Sequence, residues 1–372
     1  MAKKDKNWEQ HTDEERITIF KLKGKEEMDE MKEIFRDVYC PAKYGTREPL
    51  KEDETQQLVC VCSQIGAGKS YTIGELRKNL EQQFGEPFVE IDTDSCKPFT
   101  PKYKEGRKAD MACRERGEVY TGENYTRTSA PQSDYLKQLA LDDQGKEKTH
   151  HVLYEFAVRN SSKEKIFESL RSFADNDKGH TDKRAIVLAV PYVVSATSIF
   201  GRAEKDYYDK NKVYIPAEIN VHDESYAQMP AAINEAYHRN YFDDIVITDR
   251  EGRVLYDSPD HMTEEQRQKV DIEKEIQQAR ETYFEAHPNW KEEINKNWEE
   301  IFASMDKRKA PKEQRETAEK VHALVVKEMA EIERKLKVRK AVTQLDKKPK
   351  LGSYVSDVHD AAMRARKPGG RD

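Results

Sequence analysis

Apolar residues are scarce in this chain. Of its 372 residues 36% are hydrophobic, and exchanging the 18 Tyr for the 16 Gly in the count leaves the share near 36%, below the roughly 45–50% of an average soluble domain. Charged residues make up 37%, well above the roughly 25% norm. No long apolar run exists: the longest, AIVLAVPYVVSA (185–196), is interrupted by Pro191 and is shorter than the roughly 18–20 residues that span a bilayer. A membrane segment is therefore not expected. The opening MAKKDKNWEQ is basic but no apolar stretch follows it, so a secretory leader is not expected either. Cysteines are few, and Cys40, Cys60, Cys62, Cys96 and Cys113 are odd in number with no paired zinc spacing. A disulfide scaffold and a cysteine zinc site are thereby set aside, and a reducing cytoplasm is the expected location. Neither sign of charge dominates, since 65 basic and 71 acidic residues nearly cancel at −6. Bulk attraction to nucleic acid is not indicated. Internal repeats are absent.

Short β-branched runs are concentrated between about 55 and 258: QLVCVC (57–62), PFVEID (87–92), HVLYEF (150–155), AIVLAV (185–190), DIVIT (244–248) and RVLYD (253–257). Continuous apolar strands separated by helical segments predict an α/β fold, a parallel sheet with helices on both faces. The last two strands, joined by DREG (249–252), predict a terminal hairpin. Ahead of this core, a helix over 25–39 places Met28, Met31, Phe35 and Val38 on one face. Behind it, Thr263 and Gln266 form a capping-box pattern opening a helix with Ile272, Ile276, Ala279 and Tyr283 in register. Val321, Val325, Met329, Ile332 and Leu336 mark a second long helix. The expected organisation is an N-terminal segment with a packing helix (1–50), a nucleotide-handling α/β domain (51–260), a charged helical extension (261–350) lying on the core or on a partner, and a flexible tail (351–372). The basic stretch KLKVRKAVTQLDKKPK (335–350) lacks interleaved aromatics and reads as a solvated face, not a nucleic-acid site.

The strongest chemical signal is SQIGAGKS, comprising Ser63, Gln64, Ile65, Gly66, Ala67, Gly68, Lys69 and Ser70, set between the QLVCVC strand and the helical YTIGELRKNLEQQF. A strand, a Gly-rich turn and a helix in that order present backbone N–H groups and a positive helix end to an anion. Gly66 and Gly68 admit phosphate oxygens close to the backbone, Lys69 supplies charge to the β/γ-phosphates, and Ser70 is a Mg²⁺ ligand. Ser63 stands where the strict pattern has Gly. Phosphoryl transfer further requires a carboxylate near the acceptor and cations over the moving group. EIDTDSCK (90–97) puts Asp92 and Asp94 at the carboxyl edge of the sheet, and strand alternation turns only one of them easily toward a site; a helix cap is the competing role. VLYEFAVR (152–159) adds Glu155 and Arg159 at the same edge, where a structural salt bridge competes with a substrate role.

Taken together, residues 55–258 resemble the zeta toxin family, P-loop kinases whose well-known members phosphorylate UDP-N-acetylglucosamine in bacterial toxin–antitoxin systems. IDTDSCKPFTPKY (91–103) matches the family's Ile-Asp-x-Asp element with its following Lys97, Pro101 and Tyr103. By this resemblance Asp94 is the general base, Lys97, Glu155 and Arg159 handle the acceptor, and Arg202 in AVPYVVSATSIFGR (189–202) stabilises the transferred phosphate. ATP or GTP with Mg²⁺ is the implied donor, a nucleotide sugar the implied acceptor and an antitoxin the implied partner. Three positions depart from the pattern. KNKVYIP (210–216) offers only Lys212 where a second Arg is expected, Ala157 replaces Thr after Glu155, and SDYLKQLALDDQGKEKTH (133–150) shows no clear counterpart of the family's helix Glu. Two alternatives therefore stay open: a kinase of another nucleotide-like acceptor such as NAD, and a weakened nucleotide-binding module whose helical tail docks a partner. The insert 105–133 reads as a pocket-shaping lid or an ordinary surface loop.

Overall fold

In a computed structural model, residues 10–345 are described apart from 46, 52, 86, 117–119, 121, 160–161, 210–213 and 260–261. Six strands form one sheet in the order β2-β3-β1-β4-β5-β6: β1 Gln56–Ser63, β2 Val89–Ile91, β3 Val152–Phe156, β4 Thr181–Leu188, β5 Asp244–Thr248 and β6 Val254–Asp257. Every pairing is parallel except β5 with β6. The expected α/β sheet and closing hairpin are thus present. Strand β4 begins four residues before the apolar run, because its polar start has a partner: Thr181 lies opposite Gln56, and the Thr181 hydroxyl donates to Gln56 Oε1 at 2.9 Å.

The helices that shape the site and its surroundings are α1 Lys25–Ile34, α2 Lys69–Phe84, α3 Thr93–Cys96, α4 Pro101–Glu115, α5 Ala130–Glu147, α6 Tyr192–Tyr208, α7 Ile219–His238, α8 Ile272–Ala286, α9 Trp290–Lys307 and α10 Lys312–Leu345. Alternation along β3 sorts the two faces of the sheet. Val152, Tyr154 and Phe156 join a core with α5 and α7, whereas Leu153 points to the opposite core with α2 and α6. Glu155 shares the Leu153 face by the same alternation, which is the face α2 crosses.

Residues beyond 260 belong to these cores. Ile272 and Ile276 pack with α7 under one face, while Trp298, Ile301, Met305, Ala318, Val321, Val325 and Met329 complete the other beside Val59, Val61, Ile199 and Phe200. The Trp298 indole N–H donates to Thr197 Oγ1 on α6 at 2.9 Å, fully enclosed. Narrow apolar stripes on charged helices are what a helix pair needs to seat one side on a domain and leave the rest in water. The Thr263–Gln266 capping box exists, but it caps only Glu264–Arg267; Asp271 starts α8 anew by accepting from Lys274 N.

Two other local expectations change. The leading helix does not run on regularly to 39: Phe35–Tyr39 is a π-turn. The extra residue per turn rotates the face, so Tyr39 is buried and Val38, expected inside, is 42% exposed. Segment 105–133 is largely helical where it is described, through α4, Tyr125–Thr128 and the start of α5. Part of its polarity is satisfied within the segment, since buried Asp110 accepts from Tyr125 Oη at 2.8 Å and pairs with Arg107 and Arg114, and part by neighbours, as Arg127 pairs with Glu218 and Gln132 with Glu27.

Candidate active site

The order 3-1-4 around β1 sends the connections after β3 and β1 to opposite sides, which opens a crevice at their carboxyl ends. β1 ends at Ser63 and the turn begins at Gln64, both fully buried. Gln64 Nε2 donates to Val190 O at 2.5 Å and so ties the turn to the segment that follows β4. Gly66 has φ +81°, and a Cβ there would meet Ser195 O at 2.4 Å; no other residue type fits that approach. Gly68, at φ +94°, forms the N-cap of α2 without a side-chain cap. Among the described residues no side chain caps the first N–H groups of α2, which leaves them for an anion. Ser70 is exposed on the first turn of this helix. Ile65 and Ala67 complete the turn, the latter buried against α6 in the same core.

Three charged side chains from three strand ends converge here. Lys69 Nζ lies 3.2 Å from Glu155 Oε1. Burial raises the Glu155 pKa, and Asp92 and Asp94 add to the rise against the opposing pull of Lys69. Asp94 stands on α3 with its carboxylate open to the cleft, accepting from Lys97 Nζ at 2.5 Å. The surrounding protein raises its pKa, but the charge and hydrogen bond of Lys97, together with Lys69 and Arg202, outweigh that and hold it below the ordinary aspartate value. Asp94 is thus kept ionised among cations, as an acceptor for a hydroxyl proton must be. Asp92 takes the other role weighed for the pair: its Oδ1 accepts from Asp94 N and Ser95 N, at 2.6 and 2.9 Å, and caps α3. The cap aims Asp94 into the cleft.

Arg202 lies exposed on α6, and its charge reaches Asp94. Arg159 follows β3, its backbone N–H donating to Ser162 Oγ at 3.1 Å. Neither guanidinium forms an ion pair among the described residues. Lys212 lies outside the described residues, as does the 351–372 tail.

Some neighbours of the site were not read from the sequence. Asp134 on α5 accepts from Thr93 Oγ1 at 2.9 Å, beside Asp94, and lies 3.7 Å from Lys137. Burial lowers the Lys137 pKa, but Tyr154, Asp134, Cys96 and Asp92 reverse that to a net rise. The i,i+3 spacing of Asp134 and Lys137 was the available signal. Arg250, in the β5–β6 turn, reaches Gly68: a Cβ at that glycine would sit 3.6 Å from its Nε. Arg280 on α8 lies under the turn, its Nη2 3.5 Å from Gln64 Oε1 and 3.2 Å from Tyr226 O.

A hydroxyl–imidazole–carboxylate chain also exists, with Ser195 Oγ 2.9 Å from His222 Nε2 and His222 Nδ1 2.9 Å from Asp223 Oδ1. Both Ser195 and His222 are fully buried, and the Ser195 hydroxyl is also within bonding distance of the Pro191 carbonyl. No substrate reaches that hydroxyl, so the chain is a tie between α6 and α7 behind Gly66 and not a nucleophile.

The oxygen donors at the turn, the Ser70 hydroxyl and the nearby carboxylates, are hard ligands and few. That fits Mg²⁺, which takes one or two protein groups and completes its shell with phosphate oxygens and water. No helix among the described residues is long and apolar enough to cross a membrane.

Residues 41–260 match the family model described as Zeta toxin. Among solved structures, one from the characterisation of the PezAT chromosomal toxin–antitoxin system of Streptococcus pneumoniae aligns at 16% identity and a TM-score of 0.48, covering 76% of this chain and 99% of that one. No curated protein matches the chain.

Proposed function

The chain belongs to the zeta toxin family of P-loop kinases, and from that premise we propose that it transfers the γ-phosphoryl group of ATP or GTP to a hydroxyl of a nucleotide sugar such as UDP-N-acetylglucosamine. The observation that carries this reading is the Asp94 carboxylate, held ionised by Lys97, Lys69 and Arg202 in the crevice that the phosphate turn opens into.

In this reading the N–H groups at the start of α2 and Lys69 hold the phosphates. Asp94 orients the acceptor hydroxyl and receives its proton as the new O–P bond forms and the bond to the β-phosphate oxygen breaks. Arg202 neutralises charge spreading over the transferred group, and Lys212 is proposed to add to it. Glu155, Arg159 and Lys97 bracket the acceptor. Ser70 would hold a Mg²⁺ ion, which would supply positive charge to neutralise the phosphates. Positioning and electrostatics carry such reactions, with little covalent work for the protein. Two features support acceptor chemistry here: the Arg159 guanidinium, without an ion-pair partner among the described residues, and the Glu155–Lys69 contact that places a carboxylate at the phosphate edge.

Incubation of the purified protein with labelled ATP or GTP and a panel of nucleotide sugars and NAD tests the reading. A phosphorylated nucleotide sugar is expected. Product from NAD alone would assign the other acceptor, and nucleotide bound without turnover would favour a binding module. An antitoxin that covers the crevice is part of the same proposal; a co-expressed neighbouring protein should bind the chain and block transfer.

A further inference from the structure

Gly68 lines a second cavity that the phosphate-turn residues do not explain. About 380 Å³ in volume, it lies between α6, the β5–β6 turn, and helices α8 and α9, with Arg250, Tyr283, Trp290, Glu293 and Asn297 among its walls. That volume falls within the roughly 300–1,000 Å³ of small-molecule sites. Asp94, Lys97, Glu155 and Arg159 are not part of it, so it is distinct from the acceptor side.

The walls differ in character. Val194, Ile294 and Trp290 provide an apolar body. Arg250 lays a planar guanidinium beside the turn, steadied by its Nη1 at 3.3 Å from Ser198 Oγ, and such a group stacks on a flat ring. Glu293 and Asn297 are four residues apart on α9 and so share one helix face. Both are exposed, and neither side chain has a hydrogen-bond partner among the described residues. A carboxylate only accepts, whereas an amide donates and accepts. A flat cation, an apolar wall and an accepting carboxylate beside an amide are the requirements for a ring that carries an amino group.

We propose that this cavity holds the purine base of the nucleoside triphosphate, with Arg250 against the ring face, Glu293 accepting from the exocyclic amino group and Asn297 pairing the adjacent ring edge. The inference rests on residues 63–70 being the phosphate turn, since Gly68 is what joins the two sites. It gives α9, which lies beyond the 41–260 stretch that matches the family, a direct part in choosing the nucleotide. Adenine and guanine both carry an exocyclic amino group; hypoxanthine carries none.

The test is calorimetric titration of the full chain with ATP, GTP, ITP and inorganic tripolyphosphate, each with Mg²⁺. The wild type should bind ATP or GTP at least about tenfold more tightly than ITP, the loss expected for an unpaired charged acceptor. Glu293→Ala and Asn297→Ala should weaken the preferred nucleotide by a similar factor and leave tripolyphosphate binding unchanged. Lys69→Ala should weaken both. Nucleotide binding that is unchanged in the α9 variants, with Lys69→Ala still defective, overturns the base site alone. Failure of the wild type to bind either nucleotide or tripolyphosphate overturns the phosphate turn and the base site together. Both α9 residues are exposed, so unchanged melting temperatures will show that the variants fold.

Discussion

Lys69 Nζ sits 3.2 Å from Glu155 Oε1, joining the first turn of α2 to the end of β3 across the crevice. This pairing holds the phosphate-binding ammonium at the edge of the sheet and makes Glu155 a competitor for it. Replacing Glu155 by Gln removes one negative charge from the phosphate site. Triphosphate binding should tighten by about fivefold, corresponding to roughly 1 kcal/mol for a half-screened pair, while transfer to the acceptor falls. Titration calorimetry checks the first part, and weaker nucleotide binding in Glu155→Gln would show that the carboxylate serves the nucleotide instead.

Lys69 and Asp94 separate binding from chemistry. Lys69→Ala should lose both nucleotide binding and transfer, because the phosphates lose their point charge. Asp94→Asn should keep nucleotide affinity within about twofold and lose transfer by at least about a hundredfold, the usual scale for a positioned base. Single-turnover measurements at saturating nucleotide read the difference directly.

The pH profile reports the cations around Asp94. Its pKa lies below the ordinary aspartate value, with Lys97 the leading force against desolvation. The base is therefore ionised throughout the neutral and mildly acidic range, and its acid limb lies below the normal aspartate region. Lys97→Ala removes that force, so the pKa rises and the acid limb of kcat moves to higher pH. An unmoved limb would assign the limb to another group.

His151 predicts acid sensitivity of the fold. Burial pushes its pKa down from 6.5 to about 4, and its Nδ1 accepts from Gln57 N at 3.1 Å, which requires the neutral ring. The unfolded chain binds the proton first. Stability is therefore complete above about 6.5 and declines as pH falls toward 4, by up to about 3 kcal/mol. Thermal melts between these pH values check this, and a His151→Leu variant should lose that part of the dependence while carrying a constant penalty for the orphaned Gln57 N–H.

Trp298 ties the helices beyond 260 to the sheet. Trp298→Ala opens a cavity beside Phe200 and Thr197 and should cost roughly 3–5 kcal/mol, lowering the melting temperature of the whole chain in one transition. A separate low-temperature transition, with the sheet unaffected, would mean that α9 and α10 fold as an independent unit.

The sheet, the phosphate turn and the Asp94 element were legible because each depends on short-range pattern: apolar runs, glycines before Lys69, and a capped turn after β2. What was not legible depends on contacts far apart in sequence. The π-turn at Phe35–Tyr39 reverses Val38 and Tyr39 with no Gly or Pro inside it, the nearest breaker being Pro41 just beyond. Arg250 comes to Gly68 only through sheet closure, and Glu293 and Asn297 read as ordinary surface on a charged helix until α9 is seated against α6. High charge after 260 reflects helices with one buried stripe each, and their Trp and Val residues complete the core under α6. Asp92 and Asp94 show the boundary most clearly: sequence placed both at the sheet edge, and only the backbone of α3 assigned one to the cap and the other to the cleft.

The most direct measurement is mass-spectrometric analysis of UDP-N-acetylglucosamine after incubation with the protein, nucleotide triphosphate and Mg²⁺, alongside Asp94→Asn. Gain of one phosphoryl group on the sugar nucleotide with the wild type, and none with the variant, is the expected result. Equal phosphorylation by Asp94→Asn, or nucleotide bound without a product from any acceptor of the panel, would contradict an Asp94-driven kinase.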